Sequence, residues 1–328
     1  MGAIDRLDWI DWMKAVGIYL VVLGHFYSVG EQFIYVFHIP LFFLISGFLS
    51  KREEINHVFW KKLWYNLIVP MLIMAIINVF IHCLVQFLTS SFLFSDIFWF
   101  VRNVVFGMVS GFDTLWFVYT LIILKVICQY CISVRLFYGL TIVMLVLAYI
   151  YNNNDYSGFP FFMNEPNAIV NVSIAYPFFA FGVYLRSLRE ALDALDKWRS
   201  LSGHVLVLLI CLLVVAVCCR FNGYVAMYRC YYGENMFLFL TGGIAGSIMV
   251  FSFAKLLGKV QKAVLVVSRG TIIVLGFHKH FIILVRYFFP FASYMDIVFA
   301  TLIVMLFVPL IIITEKHFTL MAGKYRIS

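Results

Sequence analysis

Three polar side chains punctuate an otherwise apolar stretch near the start of the chain, DWMKAVGIYLVVLGH: Asp11, Lys14 and His25. From Asp11 to Lys14 a helix turns about 300°, and from Lys14 to His25 about three full turns. All three therefore share one helix face, with Lys14 and His25 about 16 Å apart along the axis. Asp11 can hold the Lys14 ammonium as an i,i+3 pair. An imidazole that titrates near neutrality suits His25 to take or give a proton. A structural reading stands beside this one: Lys14 can snorkel to the interface, and His25 can serve as a satisfied packing histidine. Ionisable groups within a membrane face interior cavities by default, which favours a functional His25.

The next apolar run, YVFHIPLFFLISGFL, places His38 about as far beyond the turn at Glu31 and Gln32 as His25 lies before it. The expectation is two imidazoles at similar depth on adjacent antiparallel helices. Pro40 removes a backbone donor and disturbs the helix near His38. His38 can then orient His25, stabilise a developing oxyanion, or fix packing. Further along, His278 and His280 flank Lys279 in GFHKHFII, and their spacing turns them about 200° apart, so at most one faces the core. Trp116, His278 and Arg102 are candidate substrate-binding residues, although a tryptophan or arginine near a membrane interface also reads as an anchor. GxSxG, HExxH, Walker-type and GxGxxG motifs are missing. The glycines of TGGIAGS suit close helix packing. The seven cysteines are odd in number and lie mostly in apolar runs, so no disulfide framework and no metal site is expected.

The elements that must position these groups are transmembrane helices. Of 328 residues, 64% are hydrophobic and only 12% charged, and mean hydropathy is +0.99. Soluble domains are nearer half apolar and a quarter charged. Runs of about 20 apolar residues recur along the whole chain, and in lipid such runs satisfy their backbone as helices. The reading is an all-α polytopic membrane protein forming one domain, with about ten spans near 12–30, 33–50, 63–88, 114–132, 136–151, 168–186, 204–221, 236–255, 270–288 and 293–315. Segment 96–113 is too interrupted for a span, and 187–203 suggests a short amphipathic helix. No cleavable signal peptide, internal repeat or separate soluble domain is evident. With both termini in the cytoplasm, most lysines and arginines fall on that side, leaving Arg102, Arg220, Arg229 and Arg286 outside. Topology thus accounts for the net charge of +8 without nucleic-acid binding.

The order D-x-x-K-x(10)-H, FHIPLFFLISGFL, WKKLWYNLIVP, LWFVYTLI and the late GTIIVLGFHKHF resembles the acyltransferase-3 family of integral membrane acyltransferases. The resemblance implies transfer of an acyl group, often acetyl, from cytoplasmic acyl-CoA to a cell-envelope glycan, lipid-linked sugar or related acceptor. Lys14 and His25 occupy the family's paired basic and histidine positions, where arginine is the usual cation, and the resemblance implies His25 as general base on an acceptor hydroxyl or amine, or as a transient acyl carrier. Lys61 and Lys62 stand at its second basic cluster. By resemblance, Lys14, Arg52, Lys61 and Lys62 hold the CoA phosphates, though a lysine lacks arginine's bidentate fork. The implied location is the cytoplasmic (inner) membrane as a multi-pass protein, and a homo-oligomer is compatible with it. Two other classes fit the residues: a transporter with a His25/His38 proton relay, and an envelope-assembly scaffold in which both histidines are replaceable.

Overall fold

The computed structural model describes residues 7–26, 30–51, 55–88, 94–106, 113–131, 133–152, 167–188, 201–290 and 295–324. Helices account for nearly all of them, and no strand occurs among the described residues apart from an isolated bridge between Ala226 and Tyr231. Among the described residues eight helical stretches are long and apolar enough to cross a membrane: Glu31–Leu49, His57–Leu88, Val134–Tyr151, Ala168–Ser187, Leu201–Asn222, Met236–Leu257, Thr271–Phe288 and Asp296–His317. Two shorter helices occupy the remaining expected positions, α1 (Asp8–Gly24, 17 residues) and α7 (Trp116–Tyr130, 15 residues). At 1.5 Å per residue they run about 26 and 22 Å, less than the roughly 30 Å hydrocarbon core. The chain is an all-α, polytopic membrane protein.

Three expected spans differ in detail, each for a local reason. The first begins at Asp8 and stops at Gly24, not near residue 30. Asp8 and Asp11 suit the positive end of the helix dipole. At the other end the His25 and Phe26 amides turn back onto Val21 and Leu23. The second span is bent: α2 (Glu31–Tyr35) and α3 (His38–Leu49) are separated by Val36 and Phe37. Pro40 cannot bond to the Val36 carbonyl four residues back and its ring crowds it, so the helix breaks there.

The third is one continuous helical run of α4 (His57–Leu63), a π-helical turn (Trp64–Ile68) and α5 (Val69–Leu88). Pro70 would press on the Asn66 carbonyl in a regular α-helix. The chain answers by widening the turn, and the Val69 amide donates to Trp64 five residues back. Beyond it lie α6 (Phe94–Phe106), α8 (Val134–Tyr151), α9 (Ala168–Ser187), α10 (Leu201–Asn222) and α11 (Met236–Leu257). The eight-residue α12 (Lys262–Arg269), α13 (Thr271–Phe288) and α14 (Asp296–His317) complete the fold. Segment 96–113 is helical as far as Phe106, and the amphipathic helix expected near 187–203 falls largely outside the described residues.

Two packing features fix the centre. Helices α3 and α9 touch backbone to backbone because each offers a glycine. A Cβ on Gly47 would lie 2.0 Å from the Phe179 carbonyl oxygen, and one on Gly182 would lie 2.1 Å from that of Leu44. Small residues are the usual means of such approach between membrane helices. Helix α1 runs through the middle, packed against α3, α11, α12, α13 and α14. Its Ile18, Val21 and Val22 are almost fully buried.

At one end of the bundle the loop from Gly223 to Asn235 is tied down by asparagines. Asn222 donates to the Tyr232 carbonyl (2.8 Å) and accepts from the Asn235 amide (2.7 Å). Asn152 accepts from the Tyr232 amide (2.8 Å), and Asn171 donates to the Tyr228 carbonyl (3.3 Å).

Candidate active site

Helix ends converge at the N-terminal end of α1 around a cavity of about 710 Å³. Among the described residues its lining carries the cations Lys14, Lys51, Lys62, Lys125, Arg186 and Arg269 and one acid, Asp11. The remaining wall is largely apolar, including Ile10, Phe48, Leu63, Leu67, Cys128 and Leu265. A concave site with a cationic portion and an apolar portion suits an amphiphilic anion.

Several of these groups are fixed by the end of α3, whose last carbonyls have no intrahelical donors. Arg186 on α9 donates to the Phe48 carbonyl at 2.9 Å, and Gln129 on α7 donates to that of Lys51 at 2.7 Å. Lys125 reaches the Ser50 hydroxyl at 3.2 Å. Positive charge at a helix C-terminus is favoured by the dipole as well. On the opposite wall, the Ser268 hydroxyl donates to Asp11 at 2.5 Å, fixing α1 to α12, and Asp11 lies within electrostatic reach of Lys14. Arg269 pairs with Glu315 at 3.3 Å, and Glu315 also holds Lys324.

At the other end of α1 a second polar cluster forms. His25 caps the helix, and its ring centroid lies 4.9 Å from that of His278 on α13. Tyr35 is a ring neighbour of both first-span histidines, 6.4 Å from His25 edge-on and stacked on His38 at 4.9 Å. His38 and Lys279 also lie within electrostatic reach of His25.

Backbone carbonyls only accept, so the histidine nitrogens facing them must carry the proton. His38 Nδ1 therefore donates to Ile34 (2.9 Å), and His278 Nδ1 donates to Val274 (2.8 Å). In the neutral rings this leaves Nε2 as the basic atom. From Tyr35 a line of rings continues to the asparagine-pinned loop, with Tyr224 at 6.1 Å from Tyr35 and Tyr231 stacked on Tyr224 at 6.4 Å.

Helix α13 is unusually well tied at this level. Thr114 donates to the Leu275 carbonyl at 2.6 Å and Asn78 to that of Gly276 at 3.3 Å. His280 faces α5, where its Nε2 meets Asn78 Oδ1 at 2.9 Å. His278 and His280 thus address different neighbours, as their spacing requires.

Residues 7–314 match the Acyl_transf_3 family, an acyltransferase domain. The chain belongs to the acyltransferase-3 family. No curated protein and no solved structure matches it. The membership makes the protein a membrane acyltransferase, with an acyl donor and an acceptor as its substrates.

Within this acyltransferase the residues singled out from sequence divide into groups. Asp11, Lys14 and Lys62 line the cavity, while Lys61, on the same short helix, is not among its lining residues. Arg52 lies outside the described residues. His25, His38 and His278 gather at the far end of α1, but Tyr35 mediates between His25 and His38, and the ring paired with His25 comes from α13. Trp116 is buried beside Phe117 at the start of α7. Arg102 is buried on α6, donating to Asn103 at 2.9 Å over the Trp99 ring. Neither Trp116 nor Arg102 lines the cavity.

Lys51, Lys125, Arg186, Arg269 and Tyr35 were not anticipated as site residues. The basic ones counted toward the charge bias of one side, but a charge count carries no information on which ends meet. Among the described residues no group of His, Cys, Asp and Glu is arranged to hold a metal.

Proposed function

We propose that this acyltransferase takes an acyl group, most simply acetyl, from acyl-CoA on the cytoplasmic side and passes it to a hydroxyl of a cell-envelope glycan or lipid-linked sugar. The observation that carries the donor half is the cationic cavity around Lys14, whose six basic side chains suit the phosphates of CoA and whose apolar wall suits its pantetheine arm. The positive-inside pattern supports reading that end as cytoplasmic, with both termini on the same side. Lys14, Lys62, Lys125 and Arg186 are the proposed phosphate contacts, and Asp11 holds Lys14 in place.

The histidine cluster supplies the chemistry. His25 takes the proton of the acceptor hydroxyl as its oxygen attacks the thioester carbonyl carbon. The carbon–sulfur bond breaks, and the imidazolium returns the proton to the departing thiolate. His278, whose Nε2 is basic in the tautomer that bonds Val274, stabilises the His25 imidazolium. His38 and Tyr35 orient the pair. The tyrosine rings leading to the Gly223–Asn235 loop offer flat faces for a sugar. The cavity lining on α1 ends at Lys14, and Ile18, Val21 and Val22 are packed beyond it, so the thioester reaches His25 only when these neighbours part.

The test is transfer of label from acetyl-CoA to envelope acceptors in membranes, with mass spectrometry of surface glycans to find the acyl mass. Wild type transfers and His25→Ala does not. Full transfer by His25→Ala overturns the assignment of His25.

A further inference from the structure

We propose that Asn66 recognises the pantetheine arm of the acyl-CoA donor, its side-chain amide pairing with a secondary amide of that arm. This rests on the donor reading above and adds to it a residue that discriminates CoA thioesters from other phosphorylated anions.

The argument begins with Pro70. Its ring forces the turn at Trp64–Ile68 into π-helical form, and Asn66 sits in the middle of that turn. Single π-helical turns inside α-helices are frequent at functional sites. Asn66 lines the cavity together with Lys62, one turn earlier on the same run of helix. Its Oδ1 atom is buried and has no hydrogen-bond partner. A buried acceptor left unpaired costs about 1–3 kcal/mol, so a turn of the carboxamide that brings Oδ1 onto a ligand N–H in the cavity recovers that cost.

Position along the cavity selects the part of the ligand. On its own run of helix Asn66 is followed and preceded in the lining by Leu67 and Leu63, with Lys62 one turn earlier, and the same wall includes the apolar Ile10, Cys128 and Leu265. A ligand that sets its phosphate on Lys62 lays the less polar chain that follows along this wall. The pantetheine arm is a slim, mostly apolar chain interrupted by two secondary amides, each with one N–H and one C=O, which is what a single carboxamide in an apolar wall can read. The turn is also held from behind. Gly323, at φ +64, lies so close that a Cβ there would stand 2.6 Å from the Asn66 carbonyl oxygen.

The experiment compares two ligands on purified, detergent-solubilised protein: CoA, and the phosphoadenosine diphosphate fragment of CoA, which keeps the phosphates and lacks the arm. Asn66→Leu is expected to weaken CoA binding about tenfold, the equivalent of about 1.4 kcal/mol, while affinity for the fragment stays within about twofold of wild type. Asn66→Asp, which keeps an acceptor oxygen, is expected to retain more CoA affinity than Asn66→Leu. A second measurement needs no variant: a CoA analogue with both arm amides N-methylated is expected to bind wild type about tenfold more weakly than CoA does. Equal losses for CoA and the fragment, or no loss for CoA, overturn the role of Asn66. Wild type that binds neither CoA nor the fragment overturns the donor reading itself, a different outcome from either.

Discussion

The imidazole of His25, at the end of α1, lies with its centroid 4.9 Å from that of His278 on α13. A positioned acid–base residue contributes about 10²–10⁴-fold to rate. His25→Ala is therefore expected to lower the turnover of acyl transfer by about that factor, measured as thiol release from acetyl-CoA in the presence of acceptor. His278→Gln should fall as well, and the double variant should lose little more than the worse single one, because groups acting as a unit are not additive.

Lys14 carries charge into the cavity wall without arginine's geometry. Lys14→Leu is expected to abolish most of the rise in thermal midpoint that saturating CoA gives to wild type, since a ligand stabilises only the state it binds. Lys14→Arg should keep that rise. Raising salt from about 0.05 to 0.5 M should shrink it in wild type through screening. A CoA-induced shift unchanged in Lys14→Leu would remove this lysine from the donor site.

The contact between α3 and α9 leaves no room for a side chain at Gly47, where a Cβ would stand 2.0 Å from a backbone oxygen. Overpacking a filled site costs about 1–3 kcal/mol, and backbone relaxes less readily than side chains. Gly47→Val is expected to lower the thermal midpoint in detergent strongly, with Gly47→Ala intermediate. Gly139, which has nothing within 4 Å of its Cβ position, is the control, and Gly139→Ala should be neutral or slightly stabilising.

Asn222 serves two backbone groups at once, the buried Tyr232 carbonyl and the part-buried Asn235 amide. Asn222→Leu leaves both without their partner, at about 1–3 kcal/mol for the buried carbonyl and less for the amide. The expected result is a lower thermal midpoint and faster amide exchange confined to residues 223–235. If the proposed acceptor shelf at Tyr224 and Tyr231 is correct, the acceptor KM should rise while the KM for acetyl-CoA holds.

The apolar runs located the helices because lipid leaves a backbone few other choices, and each expected span has a helix at its place. What the runs could not convey was where a helix bends. Both Pro40 and Pro70 were visible, yet one breaks its helix and the other widens a turn.

The candidate site was legible in part for a related reason. Helical arithmetic placed Asp11, Lys14 and His25 on one face of α1. The partner of His25 lies far along the chain on α13, and the mirrored His38 drew attention instead. His278 was noticed for its type, but only packing pairs it with His25. Likewise the basic residues were counted on one side, and only the meeting of α3, α7 and α9 selects Lys125 and Arg186 from among them.

The π-helical turn also keeps the two ends of its helix in phase. One residue more than an α-turn needs is held between Lys62, which faces the cavity, and Asn78, which meets Gly276 and His280. Relieving the turn with all its residues kept, as Pro70→Ala would, returns the run to α register and swings one end past the other by about 100°, so that Lys62 and Asn78 could no longer both meet their partners. Deleting one residue of 64–68 instead closes the bulge and leaves the two ends in phase. A single proline thus acts as a phase shifter coupling the donor cavity to the helix that carries His278.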